Sequence, residues 1–442
     1  MAGTIDLLAG GDITTSGVLT GSTTISATAN GALSVAGSIT SGTGTTLTGL
    51  NVTQTGGTIS GILNATATSG DVSLSQAGGY TLGLLSAPGS VSVSSGAAIV
   101  DGNAGPNLSA SSAFLSAGSG IGTIADPLET AVGQLSASSS AGEIGIINTG
   151  NLTLSGLFLG GAGSAAVGAT GAMVLPNLSS VSVGGNVSLI ANGLTVGGGV
   201  FAVGNVVLNG QTGILDITSD GGEGVFGSDI FLLGANISIG SPSAFGSKFV
   251  DASGILSLST PGNLTVRGGS GAGASTIVTG GAGVDAVVGG NVVVAGGSGS
   301  GADAVILGIP DVTMSVGGTV QLVGDTSSGS AARIEAGSPL TIHLTFPLLA
   351  TDGFSVNGVV NAIVDDTSNP VSGFFVEGSA AVLGQNLFVS YGGAPPPPIE
   401  TLPPLIPPEV VDPPQPPAEV TSGSAGSTQD EEEKKKLPFC AA

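Results

Sequence analysis

Gly70-Asp71-Val72-Ser73-Leu74 reads as a turn followed by a strand whose residues alternate apolar and hydroxyl. The same grammar recurs at Gly11-Asp12-Ile13, Gly31-Ala32-Leu33-Ser34-Val35, Leu50-Asn51-Val52-Thr53 and Ser90-Val91-Ser92-Val93, so that the second residue falls at 12, 32, 51, 71 and 90. A beat of about 20 residues is too regular for a globular core and is the mark of a solenoid in which each repeat is one coil. Alternation places one set of side chains inward, and turn Gly, Asn and Asp supply the corners.

Composition agrees. The 442 residues include 80 Gly, no Trp and only 8% charged residues, yet 41% are hydrophobic. A disordered chain has too few apolar residues for that profile. Collagen needs glycine at every third position, and the glycines here keep no such period. Short Val/Ile/Leu runs between Gly, Asn, Asp and Ser turns predict an all-β chain wound as a solenoid. Scarce charge suits that fold. Equivalent residues of successive coils stack about 4.8 Å apart. Like charges at that spacing repel by about 0.9 kcal/mol even in bulk water, whereas Ser, Thr and Asn hydrogen-bond along the stack.

Four segments follow. Residues 1–261 carry coils of about 20 residues, with the opener repeated at Gly150-Asn151-Leu152, Gly185-Asn186-Val187 and Gly204-Asn205-Val206. Residues 262–345 hold three 28-residue units, 262–289, 290–317 and 318–345, opening at Gly262-Asn263-Leu264, Gly290-Asn291-Val292 and Gly318-Thr319-Val320. They read as wider coils or as coils with a protruding loop at 268–276, 296–304 and 324–332. Residues 346–392 hold the last apolar strands. Residues 393–442 are rich in proline up to Pro417 and then charged, with Asp430 to Lys436 before Leu437-Pro438-Phe439-Cys440, and predict an extended spacer and a disordered tail.

Several functions find no support. The net charge is −23, and half of the six basic residues are Lys434, Lys435 and Lys436, so there is no basic footprint for nucleic acid or anionic lipid. The single cysteine, Cys440, forms no disulfide within the chain; it is a candidate anchoring or intermolecular thiol. Leu157 to Pro176 is uncharged over a length that spans a bilayer, but its glycines and the lack of flanking Lys or Arg favour Gly-rich coils, and no membrane span is expected. The first residues lack a secretory signal and a capping coil, which reads as the C-terminal part of a longer protein or as a reading frame begun at an internal Met.

Candidate chemistry is sparse. Gly280 to Val288 fits the nonapeptide of calcium-binding β-rolls, making Asp285 a calcium candidate, but such sites need tandem copies and the local period is 28. Asp365-Asp366 is the one adjacent acidic pair before the tail, with no basic residue beside it in sequence, and His343 has no second His or Cys nearby. No catalytic residue, metal or cofactor is assigned. Candidate glycan acceptors in Asn-x-Ser/Thr sequons are Asn51, Asn64, Asn107, Asn151, Asn177, Asn186, Asn236 and Asn263, although a turn Asn before an apolar residue and Ser/Thr is also how these coils begin.

Ser119-Gly120-Ile121-Gly122-Thr123 runs on through Asp126-Pro127-Leu128-Glu129-Thr130 and Gln134-Leu135-Ser136-Ala137 to Gly142-Glu143-Ile144-Gly145-Ile146-Ile147-Asn148-Thr149-Gly150-Asn151-Leu152. This passage resembles one common in large bacterial exoproteins of the filamentous haemagglutinin type, which leave the cell by two-partner secretion. The beat and the Pro-rich tail resemble that family too. The resemblance implies a right-handed parallel β-helix exported by an outer-membrane transporter, secreted or surface-displayed, and often adhesion to host-cell receptors, glycans or other surfaces; with no catalytic cluster in the sequence, the expected role is a structural and binding shaft without catalysis. Two features depart from the family pattern: no secretion domain with an Asn-Pro-Asn-Gly-type motif is present, and Cys440 lacks the second cysteine that some relatives use for retention. The alternative functions are a β-helical carbohydrate-active enzyme, a polysaccharide lyase or hydrolase, and an autotransporter passenger fragment.

Overall fold

The computed structural model describes residues 3–218, 223–318, 320–324 and 328–335 with their side chains, and beyond these only backbone strands as far as Tyr391. The described chain is all strand and turn with no helix, and every strand pairing is parallel. It is a parallel β-helix, a solenoid as the repeat predicts.

One ladder illustrates the stacking. Leu128, Ile146, Val167, Leu189, Leu208, Leu232, Leu258, Ala286 and Met314 occupy one register position in successive coils. All are buried, so the core is a column of aliphatic side chains. Consecutive members lie 18 to 22 residues apart as far as Leu208 and then 24, 26 and 28, so the coil widens by degrees only from Leu208 onward. The extra residues enter at one corner, between the second and third strands of each coil. That corner is short between Leu194–Val196 and Gly199–Ala202, and long between Leu264–Arg267 and Thr276–Gly280.

The long corners are stacked layers of the coil wall. Gly269 N–H donates to Ala274 O and Gly297 N–H donates to Ala302 O, each at 2.7 Å, and Gly299 N–H reaches Gly269 O of the coil below at 3.2 Å. Ala274 and Ala302 are buried beneath them. Lys248, at the head of the corner stack, is also buried, with its Nζ donating to Gly246 O at 3.3 Å.

The passage 119–152 forms a transition in cross-section. Ile144–Asn148 pairs with two strands of the preceding coil at once: Ile144 bridges to Ile121, while Ile146 and Asn148 lie against Leu128 and Thr130. Two sheets of the first half thereby merge into one. Leu152–Leu159 does the reverse. It rests on Leu128–Ser139 and supports both Met173–Leu175 and Ser180–Val183 above. From Ala165–Ala169 onward each strand pairs with the third strand after it.

The Gly-Asn and Gly-Asp openers have a structural cause. The side-chain oxygen of each turn Asn or Asp accepts a backbone N–H from the next coil: Asp12 from Ala32, Asn51 from Asp71, Asn151 from Ala172, Asn186 from Asn205, Asp229 from Ile255 and Asn263 from Asn291, at 2.8 to 3.0 Å. That oxygen lies directly over the preceding residue of the next coil, which must be glycine. A Cβ on Gly70 would stand 1.8 Å from Asn51 Oδ1, with no other residue among its three nearest atoms.

This contact makes a double-mutant prediction. Gly70→Ala is expected to destabilise strongly because the Asn51 side chain must leave its cap, and Asn51→Ala to cost about 1 kcal/mol for the lost capping bond. Combined, the two should be much less damaging than their sum, because the clash has gone. Denaturant melts together with hydrogen exchange of the Asp71 amide check this; additive losses would refute the contact.

Candidate functional site

The outer faces of the sheets carry hydroxyl and small residues, and their charges are isolated. Asp6 stacks on Ser26, Asp216 lies between Thr195 and Ser238, and Asp285 between Ser257 and Thr313. No described register pair sets two ionisable side chains against each other. The one described ion-pair cluster is Arg333 with Asp303 at 3.3 Å and Glu335 at 3.7 Å. Asp303 also accepts the Ala331 N–H, which fixes the corner of its coil.

Asp285 is exposed on the outer face of its strand. Burial of its surroundings and then the Asp311 carboxylate push its carboxyl above the ordinary range. Among the described residues no group of three or more His, Cys, Asp or Glu is placed to hold a metal ion. His343 is on the strand Leu340–Leu344, opposite Ser315 and Ile363, and its side chain lies outside the described residues, as do Asp365, Asp366 and Cys440.

The sequon asparagines are mostly the caps of the coil corners. Asn51, Asn151, Asn177, Asn186 and Asn263 are exposed, while Asn64 and Asn236 are half-buried. Asn107 differs. It is fully buried, its amide nitrogen donates to Asp101 Oδ1 at 2.6 Å and to Leu82 O at 3.2 Å, and its Oδ1 accepts the Glu129 N–H. The folded coil leaves no room for a glycan there.

Three polar features escape a linear reading. Gln54, Gln76 and Tyr80 meet inside the core: the Tyr80 hydroxyl donates to Gln54 Oε1, Gln54 Nε2 to Gln76 Oε1 at 3.4 Å, and Ile59 N–H to Gln76 Oε1 at 2.7 Å. Burial pushes the Tyr80 phenol far up. Asp101, Asp126 and Glu129 converge beside the transition coil. Burial first and then Asp101 push the Glu129 carboxyl up, against a hydrogen bond from its own backbone, with Asp126 adding the smallest push. Its Oε2 is shielded, with no hydrogen-bond partner among the described residues. Finally, an outward ladder contains Phe158, Ser182, Phe201 and Phe226. Sequence alternation marks these positions as outward but does not say that aromatic residues of different coils coincide.

Among the described residues no helix is long and apolar enough to cross a membrane, and Leu157 to Pro176 divides among short strands and turns. No protein-family model, no curated protein and no solved structure matches the chain.

The carboxyls give a pH dependence of unusual sign. Glu129, Asp216 and Asp285 are all raised, burial being the leading cause in each. A group that holds its proton more tightly when folded stabilises the fold most when protonated. That contribution fades as pH climbs from the ordinary carboxylate value through the raised one. Asp71, held down by the Ser90 N–H and hydroxyl, works the other way but is fully exposed. Glu129→Gln is therefore expected to raise the melting temperature at neutral pH, with the gain vanishing near pH 4. Melts over a pH series measure this; an equal effect at both ends would rule out the carboxylate as its source.

Proposed function

We propose that the chain is the shaft of a secreted or surface-displayed bacterial adhesin of the filamentous haemagglutinin type, acting by binding and not by catalysis. The observation that carries this is the passage 119–152. It resembles a phrase of that family, and here it forms the coil that joins two cross-sections of a continuous β-helix. A phrase with a defined architectural task is a sounder basis for the likeness than glycine content or repeat length. Neutral outer ladders fit the same reading, since they let coils stack indefinitely and leave hydroxyl-rich walls for surface contact.

In this reading the parent protein leaves the cell through an outer-membrane two-partner secretion transporter. The broad corners at 268–276 and 296–304 are the first places to seek contact with host-cell receptors or glycans. Their backbones are fixed by stacking, so side chains such as Ser270, Ser298 and Ser300 are presented on a rigid base.

The purified chain immobilised on beads is expected to retain host cells or glycans, and to release no sugar from polysaccharides. A serine-to-aspartate change at Ser270 should lower retention without lowering the melting temperature. Polysaccharide cleavage that disappears in an Asp365→Asn/Asp366→Asn chain would overturn this reading in favour of an enzyme.

A further inference from the structure

From Ile144 to Leu215 the sequence contains no Asp, Glu, Lys, Arg or His. Acids precede that stretch at Asp126, Glu129 and Glu143 and follow it at Asp216, Glu223 and Asp229. Wound into coils, the stretch becomes a neutral belt around the β-helix between two acidic lengths.

One face of the belt is apolar. In the sheet built from the third strand of each coil, Phe158 and Phe201 share an outward ladder, 55% and 40% exposed. Phe226 continues it, stacked on Phe201 with ring centroids 5.3 Å apart and planes within 5°. Leu178 precedes the strand Ser180–Val183 and is 88% exposed; Val203 follows the strand Gly199–Ala202 and is 79% exposed. Leu178 has φ 65°. The left-handed region is unfavourable for a residue with a Cβ, and glycine or asparagine would avoid most of that cost. Leucine here is disfavoured both by its backbone and by its exposure. Single exposed apolar residues are ordinary on soluble proteins. A ladder that carries Phe158, Ser182, Phe201 and Phe226 in turn, flanked by a strained, projecting leucine, is a contact surface.

We propose that this face docks against the same face of a second copy of the chain, joining two β-helices about a two-fold axis. Charge selects the partner. The chain carries −23, and two copies meeting along either acidic length repel. Only at the belt can they approach with no like charges opposed. A basic partner would gain more from the acidic lengths than from a segment with no charge, and an anionic bilayer is repelled by them. A second copy offers, along Phe158, Ser182 and Phe201, an uncharged face of matching chemistry that ends where Phe226 meets Asp251, and a two-fold contact needs only this one patch.

Sedimentation velocity of the intact chain, with reductant present so that Cys440 cannot link copies, tests the proposal. The expected result is a monomer–dimer equilibrium that strengthens with concentration and persists at high salt. Leu178→Asp/Val203→Asp should weaken it by about tenfold or more. Leu178→Gly guards against a folding artefact: it relieves the backbone while removing the apolar tip, so it should raise the melting temperature and still weaken the dimer. A monomer at every concentration, a dimer that dissociates in high salt, or a dimer indifferent to both variants would overturn the proposal. So would a monomer that floats with neutral phosphatidylcholine vesicles and loses that property in Leu178→Asp/Val203→Asp, which would assign the face to lipid.

Discussion

Many of the described coils are fastened to the next through their corners. A turn Asn or Asp reaches across one strand spacing and caps a backbone N–H of the coil above, over a glycine that leaves it room. Parallel strand ladders alone leave corner amides without partners, and such groups are costly when shielded from water. The cap meets that need with a side chain supplied by the neighbouring coil. Sequence period and coil period are thereby tied together: a cap can act only if the next glycine arrives one full coil later. Asn236 still caps Asn263, and Asn263 still caps Asn291, after the coil has widened, because the added residues enter at a different corner.

Stacking also dictates where charge can stand. Whatever occupies an outward position is repeated at strand spacing by its neighbours, so an ionised residue needs neutral ones above and below. Asp216 between Thr195 and Ser238 satisfies this, and Asp285 between Ser257 and Thr313 does too. Where carboxylates nonetheless converge, at Asp101, Asp126 and Glu129, the protein holds Glu129 closer to its neutral form. The acids of the described coils are therefore spread thinly along the wall, and the complete absence of charge between Ile144 and Leu215 stands out against that background.

The solenoid was legible because its signal is redundant. Val72, Leu74, Val91 and Val93 alternate with serines and repeat at the coil period, and all four are buried. The widening to 28 residues was legible from Gly262-Asn263 and Gly290-Asn291, but its gradual onset was not, since the corner after Ile217 grows without copying the later loop sequence. The loop reading left two geometries open at 268–276; the paired Gly269–Ala274 amide and carbonyl and the buried Ala274 decide for a stacked corner. Contacts between residues one coil apart were the hardest to see. The Gln54–Gln76–Tyr80 cluster and the stack of Phe201 on Phe226 depend on register, and register is displaced wherever a bulge intervenes, as between Leu135 and Ser136.

The transition coil accounts for the residues of the passage that resembles a family. Its distinctive residues have structural tasks: Ile121 and Ile144 bridge, Leu128 enters the merged ladder, and Asn148 Oδ1 accepts both the Thr130 hydroxyl and the Val132 N–H at 2.9 Å. A phrase constrained in this way is evidence about how a β-helix changes its cross-section. It carries less information about what the outer wall meets, because Ile121, Leu128, Ile144 and Asn148 are all buried. Recognition, in a solenoid built like this, has to come from positions that stacking leaves free: outward ladders, projecting corner residues and places where a side chain stands against its own backbone preference. Leu178 is such a place, which is why the chemistry of its surroundings says more about partners than the passage that resembles a family.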